Sequence, residues 1–169
     1  MDQELDKKIE LKDKIILFLK DNKRKLIIFL LIVFTIIFSV IFIKINEEKK
    51  NILMSEKYIQ AGIYLTSNNK EKSKELFEEI ILSKNSFYSI LSLNVILEKE
   101  LETDQNKILS YFDLIEKNII SKSQNELLTL KKALYLIKIS KTFEGERLLK
   151  QLLENNSKYK AIAEEIINK

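Results

Sequence analysis

Hydrophobic and polar positions follow three regimes along this chain. Through residue 25, charged residues alternate with isolated apolar ones. From 26 to 43 there is no charge at all: sixteen of the eighteen residues are Leu, Ile, Val or Phe, broken only by Thr35 and Ser39. From about residue 46 onward apolar residues return at spacings of three and four, the signature of amphipathic helices, and no stretch alternates with a period of two. The pattern therefore predicts an all-α chain with one N-terminal transmembrane helix and a set of shorter helices behind it. Its three parts are a tail (1–25), a membrane span (26–45) and a helical domain (46–169).

As a helix the uncharged run is about 27 Å long, against a hydrocarbon core of about 30 Å. A cleaved signal has an apolar stretch of only ~7–15 residues and a small-x-small cleavage site. Ile41-Phe42-Ile43-Lys44-Ile45-Asn46 offers no such tripeptide, so an uncleaved anchor is expected. Lys12, Lys14, Lys20, Lys23, Arg24 and Lys25 precede the run within fifteen residues, and Lys44, Lys49, Lys50 and Lys57 follow it. Because Lys and Arg near a span set its orientation, the Lys23-Arg24-Lys25 block places the N-terminus in the cytoplasm and the helical domain on the far side. In the tail, Leu5, Ile9, Ile15, Ile16 and Leu19 can share a helical stripe with Phe18 beside it. That is either an interfacial helix or a solvated tail, and the shortness of the stripe and its interrupting acids favour the latter.

Beyond the anchor, short clusters of Asn, Ser, Asp and Thr divide the domain, since these residues compete for backbone hydrogen bonds and end or cap helices. Breaks are predicted at Asn68-Asn69, Ser83-Lys84-Asn85-Ser86, Glu102-Thr103-Asp104, Ser121-Lys122-Ser123, around Thr142, and at Asn155-Asn156-Ser157. The segments pair with a period in the mid-thirties, the spacing of tetratricopeptide helix–turn–helix units. Ala61, Tyr64, Ser73, Phe77 and Ile80 fall where that pattern wants small, aromatic, small, bulky and medium residues. Ala133, Leu136, Gly145, Leu149 and Leu152 repeat the spacing, and Ile96, Ile108, Phe112 and Ile115 form a weaker middle unit. Glycine inside a helix costs about 1 kcal/mol against alanine, so close helix packing is the expected reason for Gly145. The units lack the repeat's Trp, Leu-Gly and terminal Pro, so the expectation is a short α-solenoid of degenerate tetratricopeptide-like hairpins, with an ordinary helical bundle as the alternative. Segments 87–97 and 127–139 are more apolar than one buried stripe requires. Among their residues Tyr88 and Tyr135 can edge a partner-binding groove, or stand in the core with their hydroxyls at its rim.

Composition narrows the chemistry. The 169 residues contain no Cys, no His, no Pro and two glycines, and carry 29 cations against 25 acids for a net charge of +4. Without Cys or His the usual zinc ligands, the commonest general base and the Cys–His and Ser–His arrangements are all missing. No Gly-rich loop exists to cradle phosphate, and no basic block after residue 50 suits nucleic acid. Ser–Lys chemistry stays formally open, but no pair stands out. The expectation is a protein that is not an enzyme and has no cofactor, metal site or small-molecule substrate.

Three stretches in order resemble a known family. Phe18-Leu19-Lys20-Asp21-Asn22-Lys23-Arg24-Lys25-Leu26 is similar to the aromatic–acidic–Asn–basic lead-in to the single anchor of the ancillary Sec-translocon subunits (YfgM-like). Phe87-Tyr88-Ser89-Ile90-Leu91-Ser92-Leu93 resembles their Tyr-x-small-Leu-x-small-Leu segment, although Ile90 and Ser92 stand where smaller residues are typical. Tyr159-Lys160-Ala161-Ile162-Ala163-Glu164-Glu165-Ile166 resembles their aromatic-x-Ala helix. The chain ends within what would be the first helix of a further pair. The resemblance implies a bitopic bacterial inner-membrane protein with a periplasmic repeat domain, working beside the Sec channel on emerging polypeptides or with periplasmic chaperones. It implies no catalytic residues. The other expectation is a structural single-span subunit of a cell-envelope or cell-division assembly, with the anchor itself as the interface.

Overall fold

The computed structural model describes residues 14, 19, 20, 22–119 and 121–168. Most of the tail stripe (Leu5, Ile9, Ile15 and Ile16) lies outside them. The described residues form seven α-helices and no strand: α1 (Lys23–Thr66), α2 (Lys70–Leu82), α3 (Ser86–Glu98), α4 (Gln105–Glu116), α5 (Lys122–Lys138), α6 (Thr142–Glu154) and α7 (Lys160–Ile167). They fall into two compact units, Met1–Lys50 and Asn51–Lys169.

The first unit holds the apolar part of α1. It is long and apolar enough to cross a membrane, and none of its most apolar window is buried inside the molecule. Phe29, Phe38 and Phe42 are each more than 60% exposed. The two hydroxyl residues are satisfied within the helix itself. Thr35 Oγ1 donates to the carbonyls of Leu31 (2.9 Å) and Ile32 (2.8 Å), and Ser39 Oγ donates to that of Thr35 (2.8 Å). Lys23, Arg24 and Lys25 are exposed in the first turn, which holds no acidic residue. Cations at a helix N-terminus oppose the macrodipole, so this block does not serve helix stability.

The second unit is built from hairpins separated at the polar breaks. Asn69 and Asn85 cap α2 and α3, their side-chain oxygens accepting from Lys72 N–H (3.3 Å) and Tyr88 N–H (3.1 Å). Asp104 caps α4 by accepting from the N–H groups of Asn106 (2.8 Å) and Lys107 (3.3 Å). Between helices the chain turns through left-handed residues: Asn68, Lys84, Glu100, Ser140 and Asn156 all have φ between 47° and 64°. After α1, Asn69 N–H donates to Tyr64 C=O and Asn68 N–H to Leu65 C=O, and the same pair of bonds recurs at Ser140-Lys141 and Asn156-Ser157. This is the Schellman arrangement, built here without glycine.

Two apolar clusters fill the unit. The larger joins the C-terminal turns of α1 to α2, α3, α4 and part of α5, around Ala61, Phe77, Ile80, Leu93, Ile96, Phe112 and Ile115. The smaller joins α5, α6 and α7 around Ala133, Leu149, Leu152 and Ala163. Helices approach most closely at small residues. Buried Ser73 Oγ donates to the Ala61 carbonyl at 2.9 Å, drawing α2 against α1. On α6, a methyl group at Gly145 would lie 2.8 Å from the Ala133 carbonyl oxygen and 2.6 Å from Ile137 Cγ1. That contact leaves room for hydrogen alone.

Candidate functional site

Side chains from three elements enclose a groove of about 620 Å³ in the second unit. The end of α3 contributes Asn94, Leu97 and Glu98; the following loop and the start of α4 contribute Glu100, Glu102, Thr103, Gln105 and Ile108. The facing wall is α5, with Lys131, Leu134, Tyr135, Lys138 and Ile139. Residues 131, 134, 135 and 138 recur at three and four, so one face of the helix supplies the wall up to its C-cap residue, Ile139. Leu134 is 42% exposed, although it belongs to the longest run of apolar residues in α5.

The loop edge of the groove is held by a clasp of charges. Glu102 Oε2 accepts from the Lys74 ammonium on α2 (2.9 Å) and the Lys107 ammonium on α4 (3.1 Å). Its Oε1 accepts from the N–H groups of Thr103 (2.8 Å) and Asp104 (3.0 Å). Glu78 on α2 completes the set, with its Oε1 2.7 Å from both Lys107 Nζ and the Tyr111 hydroxyl. The Asp104 N–H and the Lys74 ammonium, helped by Lys107 and the Thr103 N–H against partial burial, bring Glu102 down to about 2. The Glu78 carboxylate raises Lys107, and burial with the Glu78 bond pushes Tyr111 up to about 12. Glu102 and Lys107 therefore stay charged near neutrality and Tyr111 stays neutral. The clasp joins α2, the loop and α4, and so positions the groove's rim. Among the described residues no three acidic, His or Cys side chains are grouped to hold a metal ion.

The α5 wall carries a contrast between neighbours. Burial works against the charge on Lys132, but Asp113 (2.7 Å) and Glu116 (3.4 Å) outweigh it and raise its pKa. Lys131, which faces the groove, is lowered by burial. Burial also raises Tyr135, as do the nearby Asp104 and Glu102 charges.

Of the residues singled out in the sequence, Ala61, Ser73, Phe77, Ala133, Gly145 and Leu149 are buried at helix contacts, as are Ile80, Leu152 and the middle-unit residues Ile96, Ile108, Phe112 and Ile115. Tyr64 is half-buried, with the Lys72 ammonium 5.4 Å above its ring. The two tyrosines part company. Tyr88 is half-buried beside Tyr58 (6.0 Å between centroids) and Phe87 (5.0 Å), away from the groove. Tyr135 is nine-tenths buried, stacks at 5.9 Å on Phe112 and lines the groove. Lys131 and Glu102 escaped the sequence reading. Each sits among many similar residues, and only tertiary contacts separate Lys131 from Lys132.

No protein-family model, curated protein or solved structure matches the chain.

Proposed function

We propose that this chain is a membrane-anchored helical-repeat adaptor, ancillary to the Sec translocon, whose groove meets emerging polypeptides or periplasmic chaperones. One observation carries the reading: an apolar helix with no burial inside the molecule belongs to the same chain as a separate helical unit with a part-apolar groove. The anchor would hold the groove at a membrane complex, raising the effective concentration for contacts too weak to persist in free solution. Fixed charges and the absence of Cys and His suit tethering better than bond chemistry.

The repeat assignment draws support from two equivalent contacts. Ala61 meets Ser73, and Ala133 meets Gly145, the members of each pair standing twelve positions apart. Small residues at one register in two hairpins are what a degenerate tetratricopeptide-like stack requires. The Lys23-Arg24-Lys25 block, unfavourable for its own helix, supports a cytoplasmic N-terminus and a periplasmic groove. The alternative of a structural subunit packing through its anchor is weakened by Thr35 and Ser39, whose hydroxyls are engaged within their own helix.

A photo-crosslinking residue at Leu134, on the exposed rim, tests the reading in intact membranes. Adducts with nascent or translocon chains, with none from an exposed site remote from the groove such as Lys150, are the expected result. Equal labelling at both sites, or none at either, would overturn it.

A further inference from the structure

Three hydrogen bonds tie together one end of the helical unit. Asn85 Nδ2 donates to Asn51 Oδ1 (2.5 Å), Ser86 Oγ to Gln124 Oε1 (3.2 Å) and Lys158 Nζ to Ser123 Oγ (2.5 Å). The start of the unit, the α2–α3 turn, the entry to α5 and the α6–α7 turn are thereby neighbours. Apolar side chains stand exposed there: Leu53, Leu82 and Phe87 at 48%, 62% and 55%. Around them Lys84, Lys117, Lys122, Lys158 and Lys160 are also exposed. The acids of these turns are fewer: Glu116, which meets Lys132, Glu126, which meets Lys122 (3.8 Å), and Glu154. None of the three helices that begin at this end has an acid in its first turn, and α5 and α7 begin with Lys122 and Lys160. Cations there oppose the helix macrodipole, so helix stability does not account for them. In the turns at the other end the balance reverses, with Glu71, Glu98, Glu100, Glu102, Asp104 and Glu144 outnumbering the lysines.

We propose that this end of the unit docks on the membrane that the anchor crosses, with Leu53, Leu82 and Phe87 entering the headgroup layer and the lysines pairing with anionic phospholipid headgroups. The inference needs the anchor and not the partner of the groove. Residue 51 follows the last residue of the span by six positions, about 20 Å at most however that stretch runs. The patch is thus held within reach of the headgroups. Exposed Leu and Phe beside Lys is the combination that binds an interface, the apolar groups by burial and the cations by attraction to anionic lipid. A second copy is the poorer occupant, since a two-fold contact would set this basic end against itself. Docking also orients the groove. Helix α3 has 13 residues and is about 20 Å long, so the groove's edge at Glu98–Thr103 would stand about that far above the headgroups, facing solution.

The test uses the full chain in phosphatidylcholine vesicles, with or without phosphatidylglycerol, that contain headgroup spin-labelled lipid. Because the chain has no cysteine, one fluorophore can be placed at Ser121→Cys, on the docking end, or at Thr142→Cys, on the opposite one; both positions are exposed. With phosphatidylglycerol present, the label at 121 should be quenched severalfold more than the label at 142. Each lysine near an anionic surface strengthens the attraction about five-fold. Lys84→Gln, Lys117→Gln and Lys122→Gln together should therefore cut the quenching at 121 by about three-fold or more, as should omission of phosphatidylglycerol. Helical circular dichroism and flotation with the vesicles should stay as in the wild type. Equal quenching at the two labels would overturn the inference. So would quenching at 121 that ignores both the lysine variant and the lipid charge, since tethering alone would then explain it. Pyrene excimers at 121 without lipid quenching would assign the patch to a second copy instead. Each of these results leaves the adaptor reading standing, whereas failure of the wild type to float with the vesicles would overturn both.

Discussion

Gly62 and Gly145 both lie inside helices, where glycine costs about 1 kcal/mol against alanine, yet their surroundings differ in kind. A methyl group at Gly62 would meet nothing within 4 Å, whereas at Gly145 it would press on a backbone carbonyl that cannot swing aside. Gly62→Ala should therefore stabilise the fold by about 0.5–1 kcal/mol, and Gly145→Ala should destabilise it by about 1–3 kcal/mol as α5 and α6 separate. Urea unfolding of the two variants checks this, and shifts of the same sign would contradict the packing described. The sequence made Gly145 legible because its spacing to Ala133 repeats that of Ser73 to Ala61; nothing comparable marks Gly62. Serines divide in the same way. Buried Ser73 and Ser89 donate to the carbonyls of Ala61 and Ile80, while the equally buried Ser92 hydroxyl has no partner among the described residues. Which buried serine finds an acceptor depends on the neighbouring helix, and no residue pattern carries that information.

At the scale of helices, the boundaries were the most legible feature, because Asn, Ser and Asp act locally: Asn69, Asn85 and Asp104 bond to backbone two or three residues ahead. The groove was not. It depends on which face of α5 meets the end of α3, and two adjacent lysines on a helix point about 100° apart. The clasp at its rim was equally hidden, since Lys74, Glu78, Glu102 and Lys107 come from three elements. It has a consequence for pH. Folding lowers Glu102 from its ordinary 4.5 to about 2, so its stabilising contribution is complete above about 4.5 and is lost as pH falls from there toward 2. Glu102→Gln should thus lower the thermal midpoint at pH 7, and the gap to wild type should close on acidification through that window. A gap that stays constant from pH 7 to pH 2 would show that the carboxylate charge contributes nothing to holding α2 to α4.

Across the whole chain, apolar surface is divided unequally between the two units. Both core clusters lie within Asn51–Lys169, and among the described residues none before Met54 is buried. The run at 26–43 instead leaves its Leu, Ile, Val and Phe side chains exposed from Ile27 onward. At roughly 0.3–0.6 kcal/mol per residue on an insertion scale, its sixteen apolar residues favour a membrane by up to about 5–10 kcal/mol, while in water they would drive association. The two demands separate cleanly along the chain, so the parts should separate by experiment. A fragment covering 51–169 should stay soluble without detergent and keep its helical circular dichroism. Its thermal midpoint should lie within a few degrees of the full chain in micelles, because no buried contact is removed. The full chain should resist alkaline carbonate extraction from membranes, and the fragment should not be retained there at all. An unfolded fragment would mean that the helices need lipid or a partner to form their core. Release of the full chain by carbonate would mean that the exposed apolar helix is covered by another protein, and the tethering on which the adaptor reading depends would be lost.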